Sequence, residues 1–333
     1  MADTLTPEGQ AGIPGGQSGI PGGQSGVPEV QSGLSEVQSG RRRSRNSGGA
    51  LFGKRGGLGF VAPAAALVAV FLVVPALWTL YLGLTNRTLF GARAIRPEFV
   101  GLDNYRDAID DERFWRSLAI TLRYVLGSAI IGQAVLGFTL AWMFRTWQTW
   151  VRRALELVVV FAWIIPGSVV AYLWRAYLAE EGTLNLLLPL NPRWLIDHEL
   201  LSITVFNTWR GTAFSMLLFG AALNSLPPSY LETAKLAGAS TRQQLTGVVL
   251  PSIKGYILTN LLLISLWTFN DFGPYLLIGG GLGRRTEVLP VFLYNEAFSS
   301  NTNLGYGSAI AAIIMVINLV VATVYLRAGK NRR

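Results

Sequence analysis

The chain has 333 residues, of which 14% are charged and 51% are hydrophobic, and its formal net charge is +9. A typical globular domain carries about 25% charged residues, so this composition argues against a soluble protein. The absence of cysteine excludes disulfides and thiol chemistry, and the single histidine excludes a multi-histidine zinc site. The basic residues flank apolar runs, which indicates orientation in a membrane rather than nucleic-acid binding.

The first 57 residues have the composition of a low-complexity tail. Four seven-residue repeats of the type GIPGGQS occupy residues 12–39, and a basic run follows at 41–45. Glycine and proline are too frequent there for a helix, and apolar residues are too sparse for a core. We therefore expect residues 1–57 to be disordered, with basic side chains that can contact anionic lipid headgroups.

Six apolar runs follow, and each is long enough for the roughly 20 residues that a bilayer requires. They lie at 58–84, 118–144, 154–173, 201–223, 255–278 and 308–326. Pro166 and Gly167 in the third run predict a kink in its helix. The sequence thus predicts an all-α membrane protein with about six transmembrane helices over residues 58–333. Lys and Arg are more frequent in the segments that lie inside if both termini are cytoplasmic. This bias predicts a multi-pass protein of the cell membrane with the 227–251 segment in the cytoplasm.

A polar segment at 227–251 separates the fourth and fifth apolar runs. Ser229 and Glu232 have the spacing of a capping box, which predicts a short helix over 230–237. Gly238 then stands where a left-handed residue ends a helix.

A second predicted capping box follows that glycine. It joins Ser240 to Gln243 and predicts another short helix that ends near Gly247. Pro251 is expected at the entry to the next apolar helix. The segment is therefore expected to fold as helix, glycine bend and helix between two membrane spans.

The same segment resembles the EAA loop of permease subunits in binding-protein-dependent ABC importers. Glu232, Thr233 and Ala234 are followed after three residues by Gly238, and after nine more by Val-Val-Leu-Pro ending at Pro251. The family motif has Glu-Ala-Ala, Gly and Ile-x-Leu-Pro at these spacings. Thr for the first alanine and Val for isoleucine are the two departures, and neither adds charge.

Further segments resemble the carbohydrate-importer branch of this family. They are Phe-Val-Gly-Leu-Asp-Asn-Tyr at 99–105, Leu-Asn to Trp-Leu at 184–195, and the ordered motifs of 279–309. In two places the chain departs from the family, with Ile120 before Thr121 and Gly281 in place of a proline. The resemblance covers residues 58–330 and leaves only the tail outside.

The resemblance implies a permease that carries a sugar or related polyol through the membrane. It implies a second homologous permease, two cytoplasmic ATPases that hold ATP and Mg, and an external solute-binding protein. This chain itself would need no cofactor or metal and would catalyse no reaction. Residues expected to couple it to the ATPase are Tyr230, Glu232, Thr233, Ala234, Gly238, Leu250 and Pro251.

Polar residues inside the apolar runs are candidates for the substrate path, because such residues are costly in lipid. Asn260, Trp267 and Asp271 are spaced by seven and four residues and so share one face of the fifth run. Amides, a carboxylate and an aromatic ring are the groups that bind sugars. Asn270 and Arg210 are further candidates. The alternatives are that the asparagines join helices by hydrogen bonds and that Arg210 reaches a headgroup or backbone carbonyl.

Two other classes of membrane protein would require sequence features of their own. An ion-coupled secondary transporter would usually show repeated spans and a coupling-ion site, and no clear internal repeat is visible. A membrane enzyme would need carboxylates or histidines clustered at one membrane face, which the sequence lacks. The chain also has no phosphate-binding P-loop, so ATP would be used by another chain.

Overall fold

The computed structural model describes residues 54–145, 147–188, 192–278, 286–299 and 302–330. Residues 1–53 of the predicted tail and the glycine run 279–281 lie outside the described residues. The chain divides into two units, Met1–Val68 and Ala69–Arg333. The described part of the first unit is one helix, α1 (Lys54–Val68), so helical structure begins before the predicted start at residue 58.

The described residues of the second unit form helices, and one isolated bridge joins Thr85 to Phe99. The first helices are α2 (Val74–Leu82), α3 (Ala92–Ile95), α4 (Asp103–Asp110), α5 (Glu112–Tyr124), α6 (Ala134–Phe144), α7 (Thr149–Ile164), α8 (Gly167–Tyr177), α9 (Thr183–Leu187) and α10 (Trp194–Asp197). They continue with α11 (Glu199–Asn224), α12 (Pro228–Leu236), α13 (Thr241–Gln244), α14 (Leu250–Ser252), α15 (Lys254–Phe269), α16 (Gly273–Ile278), α17 (Leu289–Tyr294) and α18 (Leu304–Lys330). Shorter π-helical segments cover Ala69–Val73, Val125–Gln133, Leu245–Val249 and Asn295–Ser299. The predicted all-α fold is confirmed.

Helices occupy all six predicted apolar runs. In the described residues, Val61–Leu82, Glu112–Phe144 and Leu304–Lys330 are long and apolar enough to cross a membrane. A fourth candidate is the pair Thr241–Ser252 and Lys254–Phe269, whose helices are bent by 72°. The helix α11 has the length of a span, but its polar side chains lower its hydropathy.

Two predicted runs are broken rather than continuous. The run at 154–173 divides into α7 and α8 because Ile165 and Pro166 are extended, with ψ of 131° and 132°. The sequence predicted only a kink here. Proline cannot donate to the helix and pushes the residue before it out of the helical region, so the helix ends. The run at 255–278 likewise divides into α15 and α16, with Asp271 in the break.

The core forms where α11 packs against α6 and the π-helical segment before it. A Cβ added to Gly137 would lie 2.5 Å from the Cβ of Ser215, so only glycine allows this approach. Met216 and Phe219 of α11 are buried there, together with Ile253 and Ile264 around the start and middle of α15. This packing holds α11 and α15 side by side, and those two helices supply most of the polar groups described below.

Candidate functional site

One end of the bundle carries the segment from Pro227 to Ser252, here called the 227–252 loop. Its first helix, α12, begins at Pro228 and no side chain caps it, so the predicted Ser229–Glu232 capping box is wrong. Proline suits the first helical position because its missing N–H would be unpaired there anyway. Ser229 consequently lies inside the first turn instead of before it.

Gly238 ends α12 as the sequence predicts. Its φ is +76°, a conformation that residues with a side chain rarely adopt. The Ala239 amide donates to the Ala234 carbonyl at 3.0 Å, and the Gly238 amide donates to the Lys235 carbonyl at 2.9 Å. These two bonds are the pattern of a Schellman motif, which pairs the last carbonyls of a helix. The chain direction after α12 is therefore set by local bonds.

The second predicted capping box is present. The Ser240 amide donates to the Gln243 side chain at 2.8 Å, and the Gln243 amide donates to the Ser240 hydroxyl at 3.4 Å. The helix that follows does not end near Gly247, because α13, a π-helical segment and α14 continue to Ser252. Pro251 thus lies inside this helical run, and α15 begins at Lys254 after the 72° bend.

The loop is buried on one side and exposed on the other. Gln244 and Val249 are buried, whereas Tyr230 is 53% exposed and Leu236 is 90% exposed. Glu232 is also exposed, and in the described part of the chain it forms no ion pair. Of the other predicted coupling residues, Thr233, Gly238 and Pro251 are exposed, while Ala234 and Leu250 are half-buried. The exposed side therefore carries two large apolar side chains, Tyr230 and Leu236, and the carboxylate of Glu232.

A second feature lies within the bundle and is here called the polar cleft. Its volume is about 240 Å³. It is lined by Gln133, Trp163, Asn207, Arg210, Gly211, Trp267, Thr268 and Asp271. These residues come from four separate parts of the chain: the π-helical segment before α6, α7, α11 and the end of α15.

Asp271 is the charged centre of the polar cleft. One oxygen accepts from the Tyr124 hydroxyl at 2.8 Å, and the other accepts from the Gly273 amide at 3.0 Å. Arg210 donates to that second oxygen at 3.4 Å, and the side chains of Arg210 and Asp271 are 34% and 13% exposed. Arg210 is therefore paired with a carboxylate of the same bundle. The pair leaves the lining of the cleft without net charge.

Buried polar side chains form a network beside this ion pair. Asn207 donates to the Ser128 hydroxyl at 2.8 Å and to the Thr268 hydroxyl at 3.1 Å. Gln133 donates to the Asn207 carbonyl at 3.2 Å. Because each amide donor has a partner, these groups can remain buried, and Gln133, Asn207 and Thr268 all line the polar cleft.

Two indole rings stand at the rim of the polar cleft. Trp267 is 51% exposed and Trp163 is 44% exposed. Both rings contact Phe214, at centroid distances of 4.6 Å and 6.1 Å. Exposed aromatic faces beside amide, hydroxyl and charged groups are suited to bind a polyhydroxy compound, which has apolar C–H faces and polar edges.

The structure brings together three of the five path candidates, namely Arg210, Trp267 and Asp271. Asn260 is fully buried outside the cleft. Asn270 accepts from Asn318 at 3.1 Å and lines a different, apolar groove. Sequence reasoning missed several lining residues. The signal for three of them was the same, a polar group within an apolar run: Gln133, Asn207 and Thr268.

Several family-like motifs have structural roles. Asn104, in the motif at 99–105, donates to the carbonyls of Gly83 and Thr85 at 2.9 and 2.8 Å. Trp194 donates to Asn185 at 2.8 Å and closes the turn between their segments. Thr121 accepts from the Leu289 amide at 2.7 Å. These residues pair buried backbone groups where the helices end.

An ion-pair cluster joins α5 to the 286–299 segment. Arg113 donates to Glu296 at 2.7 Å and to Glu287 at 3.4 Å. Asn295 donates to Glu287 at 2.7 Å, and Tyr306 donates to Asp111 at 3.0 Å. Both glutamates are buried, so the arginine is needed to compensate their charge. In the described residues no group of acidic and histidine side chains has the arrangement of a metal site.

The described residues form an all-α domain with membrane-length apolar helices, a polar cleft and a helical loop at one end. Residues 112–332 match the family model described as "Binding-protein-dependent transport system inner membrane component". The chain therefore belongs to this family, and the resemblance noted in the sequence is confirmed.

Relatives with assigned names are similar over most of their length. The probable ABC transporter permease protein YurN of Bacillus subtilis is 30% identical over 82% of this chain and 95% of that protein. The trehalose transport system permease protein SugA of Mycobacterium tuberculosis is 31% identical over 80% of this chain and 86% of that protein. The trehalose/maltose transport system permease protein MalF of Thermococcus litoralis is 28% identical over 82% and 93%.

Solved structures share the fold. A chain from a bacterial alginate ABC transporter, in complex with an alginate pentasaccharide-bound periplasmic protein, superposes with a TM-score of 0.67. The two chains are 18% identical, and the match covers 82% of this chain and 93% of the other. This bundle thus shares the fold of a chain from a solved ABC transporter, while the family description and the apolar helices support a multi-pass inner-membrane protein.

Proposed function

We propose that this chain forms part of the transmembrane path for a sugar or related polyol in an ABC importer. The polar cleft carries the proposal. It combines two exposed indole rings with paired amides and an ion pair, all within helices that cross or enter the membrane. Trp267 supplies an apolar face, while Gln133, Asn207 and the Arg210–Asp271 pair supply donors and acceptors. The relatives named for trehalose and maltose transport point to the same substrate class.

The cleft is half of a larger site in this proposal. Trp163 and Trp267 are about half exposed, because the described residues do not cover them. A second homologous permease would close the site across these rings. An external solute-binding protein would deliver the sugar, in keeping with the periplasmic protein bound in the alginate transporter structure.

The 227–252 loop would transmit the work of ATP hydrolysis. Its first helix exposes Tyr230, Leu236 and Glu232, and a cytoplasmic ATPase would bind that surface. The loop continues without interruption from the Ser240 cap to Ser252 and joins α15 at the 72° bend. A displacement of α12 would therefore move α15, which carries Trp267 and leads directly to Asp271. In this proposal the loop lies in the cytoplasm, and the Lys and Arg bias of the sequence favours a cytoplasmic location for both termini.

Transport by proteoliposomes tests the proposal. They would contain this chain, the second permease and two ATPase subunits, with the solute-binding protein outside and ATP inside. Sugars would first be ranked by titration of the solute-binding protein. We expect uptake of the preferred sugar to require both ATP and the binding protein. Uptake that continues without ATP and stops when an ion gradient is abolished would instead establish a secondary transporter.

A further inference from the structure

Asn260 is a buried amide without partners. It lies in α15 and is 0% exposed, yet neither its Oδ1 nor its Nδ2 has a hydrogen-bond partner. A buried polar group without a partner destabilises the state that contains it. The neighbouring polar residues differ in this respect, because Asn207 and Gln133 both donate to other helices. An asparagine that served only to join helices would be expected to form such bonds.

The position of Asn260 relates it to the polar cleft. Asn260 is seven residues before Trp267, so the two lie on the same face of α15. At 1.5 Å per residue they are about 10 Å apart along the helix. Trp267 is 51% exposed, and Tyr256, one turn before Asn260, is 41% exposed. On this face of α15 the side chains on either side of Asn260 are thus exposed, whereas the Asn260 amide is buried.

Ser215 shows what a purely structural case looks like. Its hydroxyl is also buried without a partner. It lies, however, at the tight contact between α11 and α6, where a Cβ on Gly137 would be 2.5 Å away. None of the described glycines has Asn260 among its nearest neighbours, so a close helix contact of this kind does not hold the amide in place.

We infer that Asn260 lies in a section of the transport path that is closed in this structure and opens to water during the transport cycle. In the open state its amide would hydrogen-bond to water or to sugar hydroxyls, which removes the cost of burial. This inference rests on the proposed function. It adds a second polar position along the transport path, between the cleft and the 227–252 loop.

Thiol labelling tests the inference directly, because the chain has no cysteine of its own. Asn260→Cys would be assembled with the ATPases, the second permease and the solute-binding protein in membrane vesicles. The rate of reaction with a small charged methanethiosulfonate would be measured without nucleotide and during ATP-driven uptake. We expect the rate to rise about tenfold or more during uptake, since only an exposed thiolate reacts.

The matched control is Ser265→Cys, which replaces a buried residue of nearly the same size, five positions after Asn260 and so on another side of α15. It should stay unreactive in both conditions, and reaction there would indicate general loosening of the bundle. The inference would be overturned if the thiol of the Asn260→Cys variant reacted equally in both conditions, whether slowly or quickly, while the wild-type complex transports sugar. A static buried water at Asn260 gives that slow, unchanged result.

A second variant distinguishes a role in transport from a role in packing. Its readout is sugar uptake, which a residue needed only for packing would not change. Asn260→Leu keeps the volume and removes the unpaired polar atoms. We expect normal assembly with uptake reduced about tenfold, because hydroxyl contacts are lost in the open state. Normal uptake by this variant would also overturn the inference. If the wild-type complex shows no ATP-dependent uptake at all, the proposed function fails and the inference falls with it.

Discussion

The 227–252 loop and the polar cleft are built in opposite ways. The loop is held by contacts between residues close in sequence, as in the Ser240–Gln243 box and the Gly238 bend. The cleft is assembled from residues far apart, such as Tyr124 with Asp271 and Asn207 with Thr268. Changes in the loop should therefore act through backbone geometry, and changes in the cleft through loss of particular partners.

The largest effect is expected from Gly238→Val. A β-branched residue at φ of +76° costs at least about 1–2 kcal/mol and redirects the chain after α12. We expect uptake to be nearly abolished and ATPase association to weaken, while membrane insertion remains normal. Gly247→Val is the matched control, because Gly247 is exposed and helical and a Cβ there contacts nothing. Equal loss in both variants would show that the bend itself is not required.

Asp271→Asn should have the next largest effect. It leaves the Arg210 guanidinium without its carboxylate, and we expect sugar uptake to fall about tenfold or more. Transport kinetics measure this loss, with the amount of assembled complex as the reference. Asn270→Ala is the control, since the Asn270 side chain is bonded outside the cleft, and it should transport almost normally. The double variant Asp271→Asn with Arg210→Gln should recover part of the uptake if charge compensation is what Asp271 provides.

Trp267→Ala should weaken the apparent affinity for the sugar. The loss of one stacked ring is worth about 1 kcal/mol, which corresponds to roughly fivefold in affinity. Trp267→Phe should restore most of the affinity because the aromatic face returns. An unchanged affinity in the alanine variant would remove Trp267 from the substrate site.

The smallest effect tests the local caps. Ser240→Ala removes one half of the observed capping box and should lower the free energy of unfolding by about 1 kcal/mol. Ser229→Ala should have almost no effect, because Ser229 caps nothing in the structure. Thermal unfolding of the purified complex measures both. A larger loss from Ser229→Ala would reinstate the first predicted box.

Sequence reasoning succeeded where one short segment contains all the interacting groups. It identified the Gly238 bend and the Ser240 box because their bonds join residues within a few positions of each other. It failed at Ser229 because two N-terminal signals compete there, and Pro228 at the first helical position prevailed. It predicted a kink at Pro166 where the structure has a break, because a proline permits both and packing decides.

The composition and the apolar runs were enough to predict a helical membrane protein. The 227–251 segment, through its resemblance to a known loop, was enough to predict the family. Which polar residues meet was decided only by the tertiary structure. Helical spacing placed Asn260, Trp267 and Asp271 on one face, but it could not show that Trp267 is open and Asn260 closed. Burial depends on the neighbouring helices, and their positions follow from packing between segments distant in the chain.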